Sequence, residues 1–457
     1  MKRRHICLGQ HRAEDTKTTI KRAVILCAVV AVLIGGIALV GGHFLMKEPE
    51  SVPAMAVGEA TETPAADGAV DSHAVVETPT PTPKPTPTPE PTPEPTPEPP
   101  TQTDIHLRAV GDLMAHDENL NAAKDGGGYT FVSFFEAIAP SLSAADLTIG
   151  NLETTISDDR TDIDDAYFTG YPMFRTPGSY LDALAGAGFD VLTLANNHII
   201  DKGLSGVEAT CAALERREIP YAGAYASEEA AGEILYRNVK GIRVAILAYA
   251  EYTNATVQAS YAVNYLKADK IRADVARARE EGADCVVVMV HWGQEYITKE
   301  SESQRMWAKR FADAGVDILL GAHPHVVQPA AWIESEREDG EPHRMFVAYS
   351  MGNFISNQRT LPRDAGVIFD FHIQKDLTTG ACSILEVSFV PTWVYKERVG
   401  AKNVFSVLPA GKYMEETDAE EGEGIVNLTA SHRSRMRSVW KEITARMEPS
   451  GATPLYE

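Results

Sequence analysis

Between Thr78 and Pro100 the chain reads TPTPTPKPTPTPEPTPEPTPEPP, with proline at every second or third position. Each proline fixes φ at about −65° and removes a backbone donor, so neither a helix nor an inner sheet strand forms there. That leaves an extended, polyproline-like stalk. At ~3.1 Å per residue it separates the segments on its two sides by a distance on the order of 70 Å. The stalk therefore divides the sequence into two parts with different tasks.

Upstream, residues 23–46 (AVILCAVVAVLIGGIALVGGHFLM) contain no Lys, Arg, Asp or Glu. At about 1.5 Å rise per residue the run is long enough for a ~30 Å hydrocarbon core, as a transmembrane helix must be. Seven basic residues, Lys2, Arg3, Arg4, Arg12, Lys17, Lys21 and Arg22, precede it, and only Lys47 lies close after it. This bias puts residues 1–22 in the cytoplasm and everything after Met46 outside. The run is longer than the apolar region of a usual leader, so a single-pass, uncleaved anchor in the cell membrane is expected. Residues 47–103 are then the Pro/Thr-rich stalk, 104–395 the folded domain, and 396–457 a C-terminal extension with an acidic link and an amphipathic helix.

The 457-residue chain has a formal net charge of −22, which argues against nucleic acid as a partner because polyanions are repelled at long range. A locally positive cleft, or one made positive by bound metal, is compatible with that charge. Cys7, Cys27, Cys211, Cys285 and Cys382 form no CxxC pair, which disfavours a zinc ribbon and a disulfide scaffold.

From Asp104 onward short apolar runs alternate with helix-like segments. IHLRAVG, DLTIGNLE, DVLTLA, RVAILAYA, CVVVMVH, DILLG and MFVAYS have the length and Val/Ile/Leu content of buried strands. PGSYLDALAGAG, SGVEATCAALERRE, ADKIRADVARAREEG and ESQRMWAKRFADAG lie between them with helical spacing. This alternation predicts an α/β domain with helices packed outside sheets.

Polar residues recur where these strands end: Asp112, then Asn151 and Glu153, then Asn196, Asn197 and His198, then His291, then His323 and His325, then Ser350 and Asn353. Strand carboxyl ends in α/β sheets open onto a shared crevice, so residues distant in sequence meet there. Singly, Asp112 suits a helix N-cap and a lone histidine is usually structural. Together, a carboxylate, imidazoles and an amide oxygen form a donor set for divalent Mn, Fe or Zn. Asp112, Glu153, Asn197, His291, His323 and His325 are the candidate ligands, with Glu153 placed to bridge. His198 is better suited to acid–base work beside the metal.

The motifs AVGDLM, GNLETTIS, LANNHIIDKG, VHWGQEY, GAHPHVVQP and YSMGNF occur in this order across residues 109–354. In these the chain resembles the CapA family of poly-γ-glutamate capsule synthesis proteins, whose domain is related to the calcineurin-like metallophosphoesterases. The resemblance implies a four-layer α/β/β/α metallophosphoesterase-like sandwich. It also implies a role in making or exporting an anionic envelope polymer alongside a membrane synthase. By the wider phosphoesterase pattern, Asp112, Asn151 with Glu153, Asn197, His291, His323 and His325 would lie at the metals and His198 would transfer a proton. Two positions depart from that pattern. Met114 stands where an Asp-x-His motif has its histidine, and Asn151 where the second motif has aspartate. These departures leave three outcomes: a single metal, a rearranged site recruiting Glu153 or His116, or a fold retained without hydrolysis. The functional alternatives are an accessory protein of polymer assembly and an extracellular metal-dependent hydrolase of phosphodiester or amide bonds.

Overall fold

Alternate residues of Cys285–His291 face two different cores. Cys285, Val287 and Met289 join one buried cluster, and Val286, Val288 and Val290 join another. A strand buried on both faces reads as a continuous apolar run, which is why CVVVMV shows no polar alternation. In this computed structural model, residues 101–158, 160, 166–337, 340–415 and 428–457 are described. The expected anchor at 23–46 and the stalk through residue 100 lie outside them. Among the described residues no helix is long and apolar enough to cross a membrane.

Fifteen strands matter here: β1 (Gln102–Leu113), β2 (Leu147–Leu152), β3 (Val191–Thr193), β4 (Tyr221–Ala222), β5 (Leu235–Val239), β6 (Ile242–Ala250), β7 (Cys285–His291), β8 (Ile318–Ala322), β9 (Ala330–Glu336), β10 (Pro342–Ala348), β11 (Asn353–Ile355), β12 (Ala365–Asp376), β13 (Cys382–Val399), β14 (Lys402–Pro409) and β15 (Thr453–Pro454). The first sheet runs β14-β13-β12-β1-β2-β3-β4, with β11 added beside β1 and β15 beside β13. The second runs β9-β10-β8-β7-β6-β5. In each, a parallel half supplies the chemistry: β1 to β4 in the first, and β6, β7, β8 and β10 in the second.

The sheets face each other across a shared core. Phe346 of β10 meets Phe369 and Phe371 of β12 with ring centroids 5.5 and 5.4 Å apart. Outside the second sheet lie α4 (Ala268–Glu280) and α5 (Glu302–Asp313), which come after α1 (Asp117–Ala123), α2 (Ser179–Gly186) and α3 (Gly203–Glu215) in the chain. Ile271, Val275 and Ala278 form the inward stripe of α4, a spacing of four and three that keeps them on one side of a helix. The start of α5 is fixed by a capping box: Ser301 Oγ accepts from Gln304 N at 3.1 Å, and Gln304 Oε1 accepts from Ser301 N at 2.9 Å. Phe135 packs against Tyr180 of α2 and stacks on Phe354 of β11, tying α2 to the first sheet. Two sheets with helices packed against them make the mixed α/β fold that the alternation of apolar runs and helical segments predicts.

The boundary expected after residue 395 falls inside β13, which continues to Val399 and pairs with β14. Beyond it, α6 (Ala430–Met447) buries Met436, Val439, Ile443 and Met447 in the shared core. At about 1.5–3 kcal/mol per fully buried apolar side chain, this docking is a substantial contribution to folding. The terminal Glu457 side chain accepts from Arg108 at 2.5 and 2.6 Å, tying the C-terminal segment to β1. The amphipathic helix therefore packs on its own domain.

Candidate metal centre

Strand register brings the first residues together. Asp112 pairs with Asn151 of β2 and with Asn353 of β11, and His291 pairs with Ala322 of β8, one residue before His323. Two glycines permit the approach. A Cβ on Gly111 would lie 2.0 Å from Gly352 O, and one on Gly321 would lie 2.0 Å from Tyr349 O, so any side chain would collide with backbone. Beyond Gly321 the chain turns sharply, with φ of +95° at His323 and +56° at His325. Such conformations cost an L residue on the order of 1–3 kcal/mol and recur at functional sites.

The turn brings both imidazoles into one buried cluster with two carboxylates. Side-chain donor atoms of Glu153, His291 and His323 all lie within 4.8 Å of one another, as do those of Asp112, Glu153 and His325. Glu153 belongs to both groups. Around His291 Nε2 are Asn197 Oδ1 at 2.8 Å, His323 Nδ1 at 3.1 Å and Glu153 Oε1 at 3.4 Å. On the other side, His325 Nδ1 lies 3.0 Å from Asp112 Oδ2 and 3.1 Å from Asn353 Oδ1. So many lone pairs share so few hydrogens that a cation is the natural occupant.

Glu153 makes the case most directly. It is fully buried, and among the described residues neither carboxylate oxygen has a hydrogen-bond partner. A buried polar group left this way costs free energy that a bound cation would offset. Burial, reinforced by the charge of Asp112, holds the Glu153 carboxyl well above its usual range. Burial also presses on Asp112, but hydrogen bonds from His325 and Asn151 prevail and hold that carboxyl below its ordinary value. Burial and the neighbouring imidazoles push His291 far down and His323 down to about 4. At neutral pH these histidines are uncharged and keep lone pairs for coordination. The donor set fits divalent metal, which either group could hold.

The expected residues take distinct places. Asp112, Glu153, His291, His323 and His325 form the two groups, and Asn197 adds its oxygen to the first. Asn151 lies in the cluster, where its side-chain nitrogen donates to Asp112 Oδ1 at 2.9 Å and lies 3.3 Å from His291 Nδ1. His198 stands beside the groups, with Nδ1 2.8 Å from Asp201 Oδ2 and its ring edge-on to Phe174. Of the two candidate recruits, Glu153 joins the groups. His116 does not: its Nδ1 accepts from Asn357 N at 3.2 Å. Met114 is buried where the pattern has a histidine.

Three residues escape the sequence reading. Asp201 stands at i+3 from His198 in HIID, a short local spacing that signals an oriented imidazole. Tyr252 places its hydroxyl 2.8 Å from His323 Nε2. It lies just past the end of β6, where the strand-end rule applies. Asn254 bonds through Oδ1 to Asn197 Nδ2 at 3.3 Å and carries no signal of its own.

The profile of the family described as bacterial capsule synthesis protein PGA_cap matches residues 106–358, which include every residue of both groups. The capsule biosynthesis protein CapA of Bacillus anthracis is 30% identical over 279 residues, covering 59% of this chain and 64% of that protein. The PGA biosynthesis protein CapA of Bacillus subtilis is 29% identical over 314 residues, covering 65% and 76%. The chain thus spans just under two thirds of the first relative. Among solved structures, NAD nucleotidase of Haemophilus influenzae aligns over 75% of this chain and 56% of its own, with 13% identity and a TM-score of 0.41. A likeness at that score carries no weight for the chemistry of this site.

Proposed function

The chain belongs to the bacterial capsule synthesis protein PGA_cap family, and from that membership we propose that it serves the synthesis or export of poly-γ-glutamate or a related anionic envelope polymer. In this proposal a divalent-metal centre built on Glu153 is its working part, and a membrane synthase complex is its partner. The observation that carries the metal assignment is the pair of buried, unpartnered Glu153 oxygens at the junction of the two donor groups.

Glu153, His291 and His323, with the Asn197 oxygen, would hold one ion; Asp112, Glu153 and His325 would hold the other. When bound, a divalent metal supplies positive charge that draws electron density from a substrate phosphoryl or carbonyl oxygen. The protein's own groups set the rest. Asn151 fixes Asp112, and Tyr252 fixes His323. The test is elemental analysis of the protein purified without chelator. Near-stoichiometric Mn, Fe or Zn is expected, with loss in His323→Ala; equal metal in the variant, or none in either protein after incubation with these metals, sinks the assignment.

A second reading, metal-dependent hydrolysis of a phosphodiester or amide, draws support from the buried His198–Asp201 pair. An Asp201 carboxylate only accepts, so it keeps the proton on His198 Nδ1 and leaves Nε2 as the nitrogen that exchanges a proton with a leaving group.

The proposal places the domain outside the cell, held by residues 23–46 and the stalk. Its support is the charge asymmetry around that apolar run. External protease is expected to release the domain from intact, wall-stripped cells by cutting between residues 47 and 103. A chain cut only after the cells are lysed would reverse the topology.

A further inference from the structure

Phe174 and Asp201 grip His198, and the next residue after each of them is a cation. Arg175 and Lys202 both line an open pocket of about 370 Å³, together with Thr155, Tyr167, Ser205 and Arg216. The pocket thus begins one residue along the chain from the groups that position His198, and two residues after Glu153.

Among the described residues the charges lining this pocket are unbalanced. Arg216 is matched by Asp158, whose Oδ2 lies 2.8 Å away. Arg175 and Lys202 have no such match. The Arg175 guanidinium lies over the Tyr167 ring at 4.4 Å, and Lys202 Nζ donates to Thr169 Oγ1 at 3.2 Å. Among the described residues neither forms an ion pair. Partial burial and then the charge of Arg175 depress the proton affinity of Lys202, so the two cations repel across a partly desolvated wall. The first turn of α3 borders the pocket through Ser205 and Gly206 and carries no acidic residue.

A chain of net charge −22 has more acidic than basic side chains available for pairing, yet two cations here face a cavity together. Like charges left together and half-buried are stabilised by an incoming anion, and a guanidinium over an aromatic ring can still direct N–H groups at a carboxylate. We propose that Arg175 and Lys202 form an anion subsite that docks the free carboxylate of a γ-linked glutamate chain next to His198 and the metal centre. This subsite rests on the anionic-polymer reading above and narrows it to a carboxylate polymer.

The test uses the full-length chain in detergent micelles and dye-labelled γ-linked oligoglutamate, monitored by fluorescence anisotropy at low and moderate salt. Inorganic polyphosphate serves as the competing polyanion. Arg175→Gln and Lys202→Gln are each expected to weaken oligoglutamate binding by about tenfold, the size of one charge-assisted hydrogen bond. Melting temperature and metal content should match the wild type, and the salt dependence should become shallower. If one variant fails to fold, the other carries the test. Wild-type affinity in both variants would remove the subsite and leave the polymer reading standing. Arg175- and Lys202-dependent binding of polyphosphate without oligoglutamate would overturn the carboxylate assignment. Binding of neither polymer by the wild type would overturn both readings, while metal analysis of the same sample reports separately on the metal centre.

Discussion

Val286, Val288 and Val290 on the outer face of β7 and His291 at its end lie within six residues of one strand, yet their surroundings are of opposite kinds. The valines pack against Phe311 of α5 and the apolar stripe of α4, where each side chain is satisfied by contact alone. His291 sits among carboxylates, imidazoles and amides, beside a glutamate with no partner and a turn in a costly conformation. The difference shows where the molecule gains stability and where stability is given up for binding. Strand middles hold the sheets to the helices; strand ends hold an arrangement that is poor for folding and good for a cation.

Substitutions on either side can break this contrast. Phe311→Ala, in the packed layer, should lower the unfolding free energy by about 3–5 kcal/mol in urea denaturation while metal per folded molecule stays constant. Coupled loss of metal would mean that the two regions are one. Glu153→Gln should have a smaller effect on folding and of opposite sign in chelator, while metal affinity falls at least tenfold. The pH dependence comes from the raised Glu153 carboxyl. Its contribution is fully present below the unfolded value near 4.5 and is lost as pH rises through the folded value. Chelated wild type should therefore lose stability relative to Glu153→Gln as pH increases above 4.5. Parallel pH profiles would show that Glu153 is not the stressed group. The smallest effect on folding is expected for Asp201→Asn, which should cost about 1 kcal/mol and leave metal content unchanged. If the hydrolytic reading holds, the same variant should lose about 100-fold in metal-dependent turnover of a phosphodiester. Metal-loaded wild type without turnover on phosphodiester or amide substrates would count against that reading.

Much of this contrast is legible in the amino-acid order because strand ends are marked twice, by the apolar run that stops and by the polar residue just after it. That signal locates Asp112, Glu153, His291, His323 and His325 and the parallel halves of both sheets. It does not reveal that Asn151 donates to Asp112, because an amide serves as donor or acceptor and only its neighbours decide. Tyr252 escapes notice although it lies just past β6, since a tyrosine at a strand end resembles a wall residue until His323 is seen against it. The antiparallel edge of the first sheet is the least legible part. β13 and β14 mix polar and apolar residues, and the expected boundary at 395 falls where β13 in fact continues. The bond from Arg108 to Glu457 spans nearly the whole folded chain, and no local pattern encodes it.

The bare α-carbons of Gly111 and Gly321 imply an order in which this cleft can change. Each stands where two main chains touch, Gly111 one residue before Asp112 and Gly321 two residues before His323, so the frame is set by backbone contact and the side chains are mounted on it. Exchanging a mounted group, such as Met114, Asn151 or Asn197, retunes the chemistry while the frame stays put. Exchanging either glycine moves the frame itself and displaces every group at once. A change among the fittings therefore alters which atoms face the cleft, while a change at either joint alters where all of them stand.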